Sequence, residues 1–147
     1  MKLLYSIVAV ALLAGCSSTS KVDRFELLAT WNSKFEACYD NQKNSTAVFP
    51  QTDWFKNLEL DDQKNVVIYL NELKMYQCTE KETLAIVSQF SEEDIKIASE
   101  ILGPKDVFLP PSKDKVASLE QTEIDKIDSE LDLFFIRRVG EQLGFVK

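Results

Sequence analysis

The chain has 147 residues, of which 45% are hydrophobic and 10% aromatic, enough for one domain with a real core. Its formal net charge is -7, so electrostatic repulsion disfavours nucleic acid and anionic lipid as partners. The absence of histidine excludes the Ser-His-Asp triad, Cys-His nucleophiles and the HExxH zinc motif.

The first sixteen residues have the order of an export signal. Lys2 precedes an uncharged apolar run at residues 3–13, and two small residues then lead to Cys16. The run is shorter than the about 20 residues that a bilayer span needs, and its flanks are typical of a secretory signal peptide. Residues 13–16, Leu-Ala-Gly-Cys, resemble a bacterial lipobox.

This resemblance implies cleavage before Cys16, lipid attachment to its sulfur and acylation of the new amino group. We therefore expect a signal peptide at 1–15, a lipidated tether at 16–21 and a helical periplasmic domain at 22–147. Ser17 resembles the residue that directs such proteins to the outer membrane. The expected location is the periplasmic face of that membrane, with the Cys16 lipid as the membrane contact.

Cys38 and Cys78 are the two other cysteines of the chain. The compartment beyond the inner membrane is oxidising, so an even pair there predicts a disulfide. The alternative is a pair of buried free thiols.

Helical signals begin after the tether. A first helix is expected near Asp23, where the order Asp-Arg-Phe-Glu has the form of a capping box. Its apolar stripe is predicted from residues at helical spacing, with Trp31 beside them: Phe25, Leu28, Phe35, Cys38 and Tyr39. Residues 47–57 are expected to be irregular, with Thr52 or Asp53 capping a single turn.

Four further helices are expected. The second spans about Asp61 to Gln77, and a capping box at Thr79 predicts that a third begins there. Another box begins the fourth at Ser91, and Gly103 ends it. The fifth begins near Thr122 and carries one apolar stripe as far as Leu143, with Gly144 suited to follow its C-terminus. The pattern predicts an all-α fold, a small bundle of about five helices with one disulfide.

A long proline-containing stretch separates the last two predicted helices. Such loops are often functional, and its apolar part is a candidate partner-binding segment: Val107, Phe108, Leu109, Pro110 and Pro111. The alternative is that Phe108 and Leu109 lie over the helices as a strap that belongs to the core.

Residues for catalysis are hard to find. The carboxylate pairs Asp61/Asp62 and Glu92/Glu93 fall in first helical turns, where helix capping and the helix dipole account for them. Residues 112–115 fit S-x-x-K, but the companion motifs S-D-N and K-T-G are absent. We predict no catalytic residue, no metal ligand and no cofactor.

The remaining hypothesis is binding. We expect an accessory lipoprotein that docks an envelope protein or complex without catalysis. Pilotins, lipoproteins that carry secretin subunits outward, are a similar class, although the chain carries no pilotin motif. The alternative is a periplasmic immunity protein or inhibitor whose acidic surface occludes a toxin or hydrolase.

Overall fold

The structure, a computed structural model, describes residues 23–103 and 106–146. Within these ranges the chain forms six α-helices and no strand, which confirms the predicted all-α fold. The helices are α1 (Arg24–Asn44), α2 (Asp53–Lys56), α3 (Leu60–Val87), α4 (Glu92–Leu102), α5 (Gln121–Glu130) and α6 (Ile136–Gln142).

The two longest helices, α1 and α3, pack against each other in opposite directions. Trp31 of α1 lies beside Thr83, and farther along α1 Cys38 is bonded to Cys78. The Cα atoms of the two cysteines are 6.2 Å apart, so the predicted disulfide is confirmed. It joins the middle of α1 to the C-terminal half of α3.

The predicted break before Thr79 is wrong, because α3 runs without interruption through it. Instead of capping a new helix, the Thr79 hydroxyl donates back to the carbonyls of Met75 and Tyr76, at 3.2 and 3.3 Å. No glycine or proline occurs between Leu60 and Val87 to end the helix. The second and third predicted helices are therefore one helix of 28 residues.

The predicted fifth helix, in contrast, is two helices. α5 ends at Glu130 and α6 begins at Ile136, with Leu131 in an extended conformation between them. Side chains of α3 donate hydrogen bonds to carbonyls at this break. Asn71 Nδ2 donates to the Phe134 carbonyl at 3.0 Å, and Lys74 Nζ donates to the Asp128 carbonyl at 2.7 Å. These bonds satisfy backbone groups that a continuous helix would have paired itself.

Four of the predicted helix ends are confirmed. Ser91 begins α4 in a capping box with Asp94, and Gly103 ends it. Thr52 caps the short α2 by accepting a bond from the Phe55 amide at 3.2 Å. Gly144 follows α6 with a φ of 74°, a left-handed conformation that favours glycine after a helix.

The apolar stripe predicted for α1 is only partly correct. Phe25 is 83% exposed and Tyr39 is 49% exposed, whereas Trp31 is completely buried. Trp31 is buried because α3, α4 and the loop after α4 all meet at its indole, which the spacing along α1 alone does not reveal.

Two hydrophobic clusters form along α3. The larger surrounds its N-terminal half and includes Phe49, Phe55, Leu70, Ile127 and Phe134. The smaller lies at its C-terminal half and consists of Trp31, Ile86, Ala98 and Phe108 with partly buried neighbours. The disulfide and a surface groove lie between the two clusters. Across residues 23–103 and 106–146, no helix is long and apolar enough to span a bilayer.

Candidate functional site

A groove of about 390 Å³ opens where α1, α3 and the loop after α4 meet. We call it the central groove. α1 contributes Phe35, Tyr39 and Gln42, and α3 contributes five side chains between Asn71 and Thr79. The third side is the loop from Asp106 to Ser112. The volume of the groove lies in the range of ligand-binding pockets, and three separate elements converge on the groove.

The disulfide holds the two helical walls at a fixed distance. Cys38 precedes Tyr39 on one wall and Cys78 precedes Thr79 on the other. Cys38 is 1% exposed and Cys78 is half-buried, so the bond is largely shielded from solvent. A covalent link at this depth prevents α1 and α3 from separating when something binds between them.

The loop wall contains the predicted partner-binding segment. Val107, Leu109, Pro110 and Pro111 line the central groove, but Phe108 does not. Phe108 is 1% exposed and packs edge-on against Trp31, with the ring centroids 4.7 Å apart. The two interpretations of this segment therefore apply to different residues. Phe108 packs into the core, as the strap interpretation expects, whereas Leu109 is 51% exposed and free to make contacts.

A chain of buried hydrogen bonds supports the floor of the groove. The Trp31 indole N–H donates to the Thr83 hydroxyl at 2.9 Å, and that hydroxyl donates to Thr79 Oγ1 at 3.4 Å. The Thr79 hydroxyl in turn donates to the Met75 carbonyl, so every hydroxyl and N–H of this series has a partner. The Trp31 indole therefore contacts two walls of the groove. It packs against Phe108 of the loop, and through the hydroxyls of Thr83 and Thr79 it is connected to the α3 wall.

Polar groups in the groove are few. The Gln42 side chain is 7% exposed, and its Nε2 has no acceptor within the described part of the chain. Glu72 of α3 and Asp106 of the loop are the charged residues among those that line the groove. Asp106 has a φ of 63°, which asparagine and aspartate tolerate better than most residues.

The other residues singled out in the sequence lie elsewhere. Cys16, the predicted lipidation site, lies outside the described residues. Asp61 and Asp62 are in the first turn of α3, and Glu92 and Glu93 are in the first turn of α4. In the described ranges, no group of three or more His, Cys, Asp or Glu residues is arranged to hold a metal ion.

Sequence reasoning found the loop wall but missed the helical walls. Gln42 offered a signal, because a polar residue four positions after Cys38 continues the apolar stripe of α1. Met75, Tyr76 and Thr79 lie close to Cys78, and the sequence there predicts only a helix start at Thr79. Glu72 and Asp106 gave no signal, since single exposed carboxylates are common on any surface.

Comparisons with known proteins identify no relative of this chain. No family model, curated protein or solved structure with which the chain was compared matches it.

Proposed function

We propose that the protein is a lipid-anchored accessory protein of the bacterial envelope that acts by binding rather than by catalysis. Its anchor would be the lipid on Cys16, at the periplasmic face of the outer membrane. Its work would be to dock another envelope protein for assembly, stability or targeting, by analogy with pilotins. The lipobox-like residues 13–16 support the location.

The central groove is the observation that carries the docking proposal. Tyr39 of α1 and Leu109 of the loop line two of its sides, 49% and 51% exposed, and half-buried Met75 and Tyr76 belong to the α3 wall. Tyrosine and methionine are enriched at protein interfaces because they offer large contact areas. A groove with exposed apolar walls and a rigid covalent brace is suited to receive a segment of a partner.

In-cell photo-cross-linking tests the proposal. A photo-reactive amino acid at Leu109 should give a discrete adduct with one envelope protein. The same amino acid at Ile101, 75% exposed on α4 and not among the groove-lining residues, is the matched control and should give none. Absence of an adduct from Leu109, or equal adducts from both positions, would refute docking in the groove.

The identity of the adduct also separates the two binding hypotheses. A structural component of an envelope complex supports the accessory role, and deletion of the lipoprotein should then reduce the amount of that complex. A toxin or hydrolase whose activity falls on binding would contradict the accessory role and support the inhibitor alternative.

A further inference from the structure

The charges of the central groove are of one sign. Among the described residues that line it, Glu72 and Asp106 are acidic and none is basic. The ion pairs found among the described lysines and arginines include neither of these carboxylates. The groove therefore presents two negative charges beside an apolar surface.

The lysine nearest to Glu72 along α3 does not neutralise it. Lys74 Nζ lies 2.9 Å from Asp128 Oδ1, and it also donates to the Asp128 carbonyl at 2.7 Å. The Lys74 side chain is only 13% exposed, so this cation is committed to α5 on the far side of the helix. Within residues 23–103 and 106–146, no cation is therefore paired with the negative charge at the groove.

Beside the carboxylates, the groove offers apolar contact and one unused donor. Phe35, Met75 and Tyr76 give half-buried contact surface, and Gln42 Nε2 is buried without an acceptor. A buried donor without a partner is costly, and the terminal torsion of glutamine is broad. Because Gln42 is among the residues that line the groove, a peptide carbonyl bound there would supply the acceptor that its amide lacks.

We propose that the central groove binds a cationic peptide segment of the partner, in which lysine or arginine stands next to aliphatic or aromatic side chains. The apolar side chains enter between α1 and α3, and the basic ones face Glu72 and Asp106. This inference rests on the proposed docking function and adds the chemistry of the partner. Ligands with an acyl chain and an anionic head are disfavoured, because they bring like charge to both carboxylates.

Peptide binding to the full chain in phosphatidylcholine nanodiscs tests the inference. The probe is a labelled peptide in which lysines alternate with leucines, followed by fluorescence anisotropy, and empty nanodiscs give the background. In two companion peptides, glutamate replaces each lysine or serine replaces each leucine. We expect the first peptide to bind at least about tenfold more tightly than either companion.

Charge variants then test whether Glu72 and Asp106 contact the basic side chains of the peptide. Glu72→Gln and Asp106→Asn should each weaken binding about threefold, and the double variant about tenfold. Asparagine keeps the left-handed conformation at position 106, so the loop is preserved. Glu100→Gln removes one charge from the exposed face of α4, outside the groove, and should leave binding unchanged.

Two outcomes would overturn the inference: equal binding of the lysine and glutamate peptides, or wild-type affinity in the double variant. In cells, a double variant that still cross-links its partner from Leu109 in full yield would also refute the charge inference while leaving docking intact. A wild-type protein that gives no adduct from Leu109 would refute docking itself.

Discussion

The ring of Phe108 packs edge-on against the indole of Trp31, with centroids 4.7 Å apart, and both side chains are essentially buried. This contact ties the loop after α4 to α1. It leaves Val107 and Leu109 on either side of an anchored residue at the edge of the central groove. The loop is thus held in place by one member of an apolar run whose other members are available for contact.

Phe108 and Leu109 should therefore behave differently when shortened. Phe108→Ala empties a buried aromatic site and should lower the free energy of unfolding by about 3–5 kcal/mol. Leu109→Ala should change it by less than about 0.5 kcal/mol, because the side chain is half exposed. Urea denaturation followed by tryptophan fluorescence measures both. Equal losses from the two variants would mean that the whole segment is a strap.

The Cys38–Cys78 disulfide should contribute a large part of the stability. It closes a loop with a sequence separation of 40, which corresponds to about 4 kcal/mol in the chain-entropy model. Cys38→Ala/Cys78→Ala should lose about that much in urea denaturation, and reduction of the wild type should reproduce the loss. Thiol titration of the denatured, oxidised protein should find neither cysteine free. Two reactive thiols would contradict the bridge.

Asp94 makes stability depend on pH in the acid range. Its carboxylate accepts a bond from the Ser91 hydroxyl at 2.8 Å and another from the Ser91 amide, and Arg24 Nη1 lies 3.0 Å away. The bonds from Ser91 first, and then the charge of Arg24, hold the pKa of Asp94 below its ordinary value of 3.8. Because the unfolded chain then binds the proton more readily, the contribution is present above that value and is lost as pH falls through the depressed pKa.

Asp94→Asn should accordingly flatten the decline of the unfolding free energy below about pH 4. Urea denaturation across the acid range measures the decline, and Asp132→Asn, at an exposed position, controls for the loss of one negative charge. Wild-type and Asp94→Asn curves that stay parallel at every pH would show that this carboxylate plays no such part.

Local patterns predicted the helical class and several helix ends well. The cap at Ser91, the glycines at 103 and 144 and the cysteine pair each depend on chemistry within a few residues or on the compartment. The two errors in helix number have different causes, one local and one tertiary. The Thr79 hydroxyl donates within its own helix, whereas Asn71 and Lys74 of α3 donate to carbonyls at the break between α5 and α6.

The candidate site was predicted only where its residues are unusual in sequence. The prolines at 110 and 111 marked one wall, because a long loop with an apolar run is uncommon. The helical walls consist of ordinary amphipathic residues such as Tyr39 and Met75. Their common exposure to one groove follows from the packing of α1 on α3, which no single stretch of sequence encodes.

Membrane attachment through Cys16 should be lost in Cys16→Ser. Without the sulfur there is no site for the lipid, and no helix of the described residues is long and apolar enough to replace it as a span. Cell fractionation should find the variant outside the membrane fraction that holds the wild type. The two proteins should have the same disulfide content, so that a difference in fractionation reports the anchor alone.

Intact-mass spectrometry of the native protein tests membrane-anchored action most directly. We expect a chain that begins at Cys16 and carries the mass of attached acyl chains. A chain that still begins with Met1, or one with an unmodified Cys16, would contradict the anchor.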